Sequence, residues 1–194
     1  MAKFLLAILV VLLVAGGMGA FFVHSGRLPV AATTPADLVD RIAMTAKFEA
    51  VRRGGNGLQV VLPTDAASIT RGREHYVENC LPCHGGPGVK PAEFAQGMNP
   101  GPPDIDGALQ NYTDAQLFWV IKNGLRATGM PAFGVNHKDD EIAAIAAFVR
   151  RTPHLTPEER KELAAAAPHE DHHHEGEGEA APHDHGEGEP HHHH

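Results

Sequence analysis

Both cysteines of this chain lie in one short segment, CLPCHGG, at residues 80–86. Cys80 and Cys83 are separated by two residues, and His84 follows the second cysteine directly. A Cys-x-x-Cys pair alone is compatible with a redox-active dithiol, half of a zinc site or a disulfide. A thioredoxin-like dithiol would follow a strand in an α/β pattern, and a zinc site would need a second ligand pair nearby. The sequence around the segment shows neither pattern.

The histidine after the second cysteine narrows the choice. C-x-x-C-H is the attachment motif of c-type haem, in which the two thiols add to the vinyl groups and the histidine reaches the iron. The sequence therefore predicts one covalent haem c on Cys80 and Cys83, with His84 as a ligand of the iron. Using both thiols in thioethers also suits an exported protein, because a free pair would oxidise outside the cytoplasm.

The amino-terminal segment is apolar over residues 4–23, FLLAILVVLLVAGGMGAFFV. Twenty such residues can cross the roughly 30 Å hydrocarbon core of a bilayer as a helix. The run is longer than the core of a typical signal peptide, about 7–15 residues, so we expect an uncleaved anchor, with a cleaved signal as the alternative. Lys3 and the terminal amine predict a cytoplasmic amino terminus and place the rest of the chain on the outer side.

Charge is distributed unevenly along the chain. The formal net charge is −8, and the segment from Pro168 to His194 holds eight acidic residues and neither Lys nor Arg. The remainder is therefore close to neutral. It carries no stripe of Lys and Arg of the kind that neutralises phosphates, so the sequence argues against nucleic-acid binding.

Composition and turn signals divide the chain into four parts. They are a transmembrane signal-anchor at 1–24, a juxtamembrane amphipathic helix and connector at 25–63, a haem domain at 64–152, and a short helix with a His/Glu/Gly-rich tail at 153–194. Apolar spacing and capping residues predict three helices in the haem domain, at about 66–79, 113–123 and 138–151. The predicted fold class is all-α. So little helix gives a thin core, which the porphyrin would complete.

The juxtamembrane helix is predicted over residues 34–53, with Thr34 as its cap. Leu38, Ile42 and Phe48 recur at helical spacing and form one apolar face. We expect this helix to be a spacer or to lie on the bilayer. Docking onto the haem domain or a partner is the alternative, because an apolar face does not identify what covers it.

Residues 65–152 resemble a class I (mitochondrial-type) cytochrome c domain of the single-haem, membrane-anchored bacterial kind. The resemblance rests on CLPCH and on the later loop GMPAFG. It implies that the first and last helices cross, with Gly72, Tyr76 and Phe148 at the crossing. It also implies that Met130 is the distal ligand of the iron, and that a proline carbonyl from PGPPD at 100–104 holds the proximal imidazole.

Other distal ligands remain open. Met98 lies in the loop after the haem motif, His137 would give a bis-histidine iron, and an open site is a further alternative to Met130. The proline after Met130 favours this methionine because it restricts the local backbone. Three aromatic residues are expected to pack on the haem: Tyr76, Trp119 and Phe133.

The tail combines histidines with carboxylates and is too polar to form a core, so we expect it to be disordered. Imidazole and carboxylate together suit weak capture of zinc, copper or nickel. The candidate ligands are His169, His172, His173, His174, His183 and His185. A solvated tail without a metal is the alternative, and the final four histidines are compatible with a purification tag.

Histidine and methionine together leave no open position on the iron, which indicates electron transfer rather than catalysis. We therefore expect an electron carrier in the bacterial inner membrane with its haem domain in the periplasm. It would exchange electrons with membrane or periplasmic redox proteins, and could be a subunit of a larger respiratory oxidoreductase. The alternatives are a haem sensor or enzyme subunit with an open distal site, and a divalent-metal-binding protein that acts through its tail.

Overall fold

The computed structural model describes residues 1–167, which form helices and no β-strand. The α-helices are α1 (Ala2–His24), α2 (Leu38–Gly55), α3 (Ala66–Asn79), α4 (Leu81–His84), α5 (Glu93–Gln96), α6 (Asp114–Asn123), α7 (Asp139–Arg151) and α8 (Pro157–Ala165). Short 3-10 turns lie at Ala108–Asn111, Phe133–Val135 and Thr152–His154. The all-α prediction is confirmed. The histidine ligands predicted in the tail lie outside the described residues.

Helix α1 stands apart from the rest of the protein. Its mean hydropathy is 2.7 over the most apolar part, and none of its residues is buried. A helix of this length and composition can cross a membrane. An amino-terminal signal sequence shares both properties, so α1 supports targeting to a membrane by either route.

Helices α3 and α7 cross at the centre of the fold. Gly72 lies directly on the backbone of Ala144, where any side chain on α3 would overlap the carbonyl group. One turn later the ring centroids of Tyr76 and Phe148 are 5.3 Å apart, and both side chains are fully buried. The crossing that the resemblance implied, with a glycine and two aromatic residues, is confirmed.

Helix α6 begins and ends as the sequence predicts. Thr113 accepts a hydrogen bond from the backbone N–H of Gln116, whose side chain accepts one from the N–H of Thr113 in return. Gly124 ends the helix with a φ of 62°, a conformation that favours glycine. Leu117 and Ile121 are buried and turn one face of α6 toward the core that α3 and α7 share.

Helix α2 corrects two sequence predictions. It begins after Asp37, which forms a capping box with Asp40, and not at Thr34. Its carboxyl-terminal half also packs on the haem domain, so the prediction of a spacer or a bilayer-bound helix is wrong for this half. Val51 is completely buried, and Gly54 lies against the indole of Trp119. The two glycines at the end of the helix permit this close approach.

Only Phe48 of the predicted apolar face of α2 lies on the side that docks. Leu38, Val39 and Ile42 are 61–70% exposed. The docked face carries Val51 and Gly55 instead, the latter directly on the backbone of Gln116. The glycines gave no hydrophobic signal, which is why periodicity placed the docked face too close to Leu38 and Ile42.

Helix α8 packs beneath the haem motif. Thr156 and Glu159 form the predicted capping box, and Glu159 also accepts a hydrogen bond of 2.7 Å from Arg151. Leu163 is completely buried and contacts the loop at Gly86. The chain after α7 therefore contributes to the same core as the three main helices.

Candidate haem-binding site

One large cavity lies between α3, α6, α7 and the loops that connect them. The space between its walls is about 1120 Å³, including the open mouth. Its lining is mostly apolar. The lining residues of α6 and α7 are Leu117, Val120, Ile121, Ile145 and Val149, and those of the loop before α6 include Ile105, Leu109 and Tyr112.

The haem motif forms a tight turn at one side of this cavity. The N–H of Cys80 donates to Tyr76 at the end of α3, and the N–H of His84 donates to the carbonyl of Cys80, both at 2.8 Å. The single turn of α4 therefore brings Cys80, Cys83 and His84 to the same cavity wall. The two cysteines form no disulfide with each other. Burial raises the pKa of Cys80 to about 12 and raises the pKa of Cys83 as well, so both thiols are neutral.

A hydrogen bond to Nδ1 fixes the orientation of the His84 imidazole. Its Nδ1 lies 3.0 Å from the carbonyl oxygen of Pro103, and a carbonyl only accepts, so Nδ1 carries the proton. Burial lowers the pKa of the imidazole, which keeps it neutral. This tautomer leaves the lone pair on Nε2 free for a metal. The contact also identifies Pro103 as the proline that the PGPPD segment left undecided.

Tyr76 supports the turn that carries His84. Its hydroxyl donates a 2.6 Å hydrogen bond to the carbonyl of Gly85, and its ring lines the cavity. Burial raises the pKa of this phenol above its ordinary value, so it stays protonated and keeps donating. Gly85 adopts a φ of 63° and packs closely on Val89, which explains the glycine after the motif.

Met130 lines the cavity on a braced loop. The hydroxyl of Thr128 donates to the carbonyl of Leu125 at 2.7 Å and accepts from the N–H of Met130 at 3.1 Å. The carbonyl of Met130 accepts from the N–H of Leu125 at 3.2 Å. Three hydrogen bonds within six residues therefore hold the backbone of this methionine beside the cavity.

The two rivals of Met130 lie in different surroundings. Met98 also lines the cavity, and its thioether packs on Gly129, where a side chain would meet it. His137 is absent from the lining. Its ring packs edge-on against His75 at 5.1 Å and against Phe133 at 5.6 Å, so the geometry disfavours a bis-histidine iron. Of the ligands that the sequence offered, the thioethers of Met130 and Met98 remain as candidates.

Two of the three aromatic residues that were predicted to pack on the haem lie in the cavity lining. Tyr76 and Phe133 line the cavity. Trp119 is not among the lining residues; its indole packs against the core and against Gly54 of α2, and its packing on haem stays a prediction. The sequence analysis missed Met44 in the cavity lining and assigned Phe48 only to a general apolar face.

Arg150 of α7 holds the loop that forms the wall of the cavity before α6. Its guanidinium donates to Asp114 at 2.8 Å, to the carbonyl of Gln110 at 3.2 Å, and to the carbonyl of Tyr112. The side chain of Gln110 in turn donates at 2.9 Å to the carbonyls of Ile105 and Val149. An irregular segment thus obtains the partners that its backbone needs without regular secondary structure.

These features together fit a haem. The cavity is apolar, as a porphyrin requires, and two cysteines at the spacing of the attachment motif lie on one wall. The same wall carries an imidazole whose outer nitrogen is already hydrogen-bonded. Neutral thioethers lie elsewhere in the lining, at Met130 and Met98. The donor set suits iron in a low-spin, electron-transferring site.

Comparisons with known proteins agree with this geometry. Residues 67–149 match the family described as cytochrome c oxidase, cbb3-type, subunit III. The cbb3-type cytochrome c oxidase subunit CcoP of Azospirillum brasilense is 39% identical over 88 residues. That alignment covers 44% of this chain and 29% of the relative, so the chain spans less than a third of its relative's length. No solved structure gave a significant match.

The family match begins in α3, contains the haem motif and ends near the last turn of α7. It therefore includes the two helices that cross and most of the cavity wall. Residues 67–149 form a class I-like c-type cytochrome domain that is similar to subunit III of cbb3-type cytochrome c oxidases, and this similarity implies haem c as its cofactor and electron transfer as its chemistry.

Proposed function

We propose that this protein is a membrane-tethered, single-haem electron carrier whose haem c is attached to Cys80 and Cys83 and ligated by His84 and Met130. The observation that carries the proposal is the arrangement of all four side chains around one apolar cavity. Bound there, haem supplies reversible one-electron chemistry at its iron.

The protein's own residues prepare the site for that chemistry. Pro103 fixes the imidazole of His84 through Nδ1, and Tyr76 holds the adjoining turn through the carbonyl of Gly85. The hydrogen bonds around Thr128 position the thioether of Met130. With His84 and Met130 both ligating the iron, the site would favour electron transfer over the binding of oxygen or another small ligand.

The remaining assignments follow from the ends of the chain. Residues 1–24 form the anchor, 25–63 the juxtamembrane part, 64–152 the haem domain and 153–194 the terminal helix and tail. Lys3 in the first turn of α1 favours a cytoplasmic amino terminus and a haem domain on the periplasmic side of a bacterial inner membrane. Metal capture by the tail stays a prediction, since its histidines lie outside the described residues.

The redox partners are proposed to be proteins of a respiratory chain. The similar protein from Azospirillum is named as a subunit of a cbb3-type cytochrome c oxidase. We propose that this chain likewise passes electrons toward a membrane oxidoreductase, either as its subunit or through brief docking. Electron-transfer encounters of this kind bury small surfaces, below about 1,200 Å².

The assignment of the distal ligand is tested by optical spectra of the oxidised protein. Met130→Ala should abolish the methionine-to-iron charge-transfer band and allow the reduced protein to bind carbon monoxide. Met98→Ala is the matched control, because it removes the thioether of the rival candidate in the lining, and it should retain the band. If Met98→Ala abolishes the band and Met130→Ala retains it, the ligand assignment is reversed. If the parent itself lacks the band and binds carbon monoxide, the site is open and a sensor or enzyme replaces the electron carrier.

A further inference from the structure

Two side chains of the cavity lining come from outside the cytochrome domain. Met44 and Phe48 belong to α2, whereas the family match begins only at residue 67. Phe48 is 47% exposed although it lines the cavity, so it stands at the mouth rather than in the interior. The mouth of the cavity is therefore bordered by the juxtamembrane helix.

The helix is anchored firmly enough to form such a wall. Met44, Phe48, Val51 and Gly55 follow one another at spacings of four, three and four residues, so they share one face. Val51 is fully buried, and Gly55 lies on the backbone of α6. Gly54 beside them covers Trp119. The buried end fixes the helix axis, and the two cavity-lining residues lie one and two turns before it.

A second set of contacts ties the same segment to both methionine loops. Lys47 donates a 3.1 Å hydrogen bond to the carbonyl of Ala127, three residues before Met130. Asn99, directly after Met98, donates to the carbonyls of Ala32 and Thr34 at 3.0 and 3.1 Å. These bonds join residues 65 to 80 positions apart in the sequence, so they belong to the tertiary fold and not to local turns.

We propose that α2 is a structural wall of the haem cavity, in which Met44 and Phe48 exclude water from the cofactor and thereby raise its reduction potential. The proposal rests on the proposed function, because it requires haem in this cavity. Water stabilises the more positively charged, oxidised state, so apolar side chains that displace water favour the reduced state. Met44 and Phe48 are thus positioning residues that tune the site without ligating the iron.

The experiment compares two double variants of the full-length, haem-loaded protein in detergent. Met44→Ser with Phe48→Ser makes the wall smaller and polar. Leu38→Ser with Val39→Ser makes the same chemical change on the same helix, at positions that are 70% exposed and do not line the cavity. The wall variant should titrate at a lower potential than the parent and react faster with ascorbate, a small hydrophilic reductant. The control variant should match the parent in both measurements.

Helix detachment is monitored separately by trypsin, which cleaves after Arg52 and Arg53 of α2 only when the helix is released. If the wall variant does not fold, Gly54→Leu provides a second test, since it keeps Met44 and Phe48 but forces the helix off Trp119. This variant should show new tryptic cleavage together with a lower potential.

Three outcomes would overturn the proposal, provided that each variant still stains for covalent haem on a denaturing gel. One is an unchanged potential and ascorbate rate in the wall variant, and another is an unchanged potential in a Gly54→Leu protein that trypsin cleaves. The third is loss of the methionine-to-iron band in Met44→Ala, which would make Met44 a ligand. Loss of covalent haem from the parent itself would instead reject the proposed function, so the two failures are distinguishable.

Discussion

Two helix contacts in this protein depend on a glycine: the crossing of α3 with α7 and the contact of α2 with α6. Their structural consequences differ. In each, a glycine allows one helix to approach a neighbour more closely than a side chain would permit: Gly72 on Ala144, and Gly54 on Trp119. At the α3–α7 crossing, α3 continues into the core after Gly72, and its next inward-facing residue, Tyr76, is fully buried. In α2 only the end of the helix is buried, and its first turns are exposed. The first contact builds the domain, and the second attaches to it a helix whose middle turns border the haem cavity.

Replacing each glycine with leucine should distinguish the roles of the two contacts most clearly. Gly72→Leu should prevent formation of the haem domain, because the new side chain meets the backbone of Ala144, which cannot rotate away. We expect a loss above about 4 kcal/mol, in the exceptional range for one substitution. Gly54→Leu should leave the domain folded and release only α2. Denaturant unfolding followed by circular dichroism and by the haem absorbance measures both effects. Similar losses in the two variants would show that α2 belongs to the cooperative core.

A milder test removes buried methyl groups from each contact. Ile145→Ala in α7 should cost about 2–5 kcal/mol, because Ile145 is completely buried within the core. Val51→Ala should cost less, about 1–2 kcal/mol, since fewer atoms are removed. Hydrogen exchange should locate the effects differently: throughout the domain for Ile145→Ala, and within α2 for Val51→Ala. Exchange that rises equally in α2 and α7 in both variants would contradict the distinction.

The smallest effect concerns the amino terminus of α3. Asp65 accepts a hydrogen bond from the N–H of Ser68 at 2.9 Å, and this bond lowers the pKa of its carboxyl below the ordinary value of 3.8. A lowered folded-state pKa means that the charged cap stabilises the fold above pH 3.8 and loses this contribution as the pH falls through the folded pKa. Asp65→Asn should therefore lower Tm slightly at pH 7 and not in strong acid. A difference in Tm that persists at low pH would indicate another cause.

The haem domain could be predicted from the sequence because its signals are local. The spacing of Cys80, Cys83 and His84 identifies the cofactor, and the capping boxes at Thr113 and Thr156 identify helix starts. The sequence predicted that a proline of the segment 100–104 would hold the imidazole of His84, but it did not indicate which one. The fold identifies this proline as Pro103.

The role of α2 could not be predicted because its contacts are glycine on aromatic ring and glycine on backbone. Hydrophobic periodicity does not register such contacts, and it favoured the face of Leu38 and Ile42, which is exposed. Trp119 was assigned to the haem because large aromatic residues usually fill a core. Its neighbour in α2, Gly54, lies 65 positions earlier in the chain, and no local pattern links the two residues.

The central claim is that haem is bound covalently through Cys80 and Cys83, and the most direct test is haem staining of a denaturing gel. The full-length protein should retain a stained band after acid-acetone extraction, and the double variant Cys80→Ser with Cys83→Ser should lose it. A parent protein whose colour is extracted by acid-acetone, or a double variant that still stains, would contradict the account.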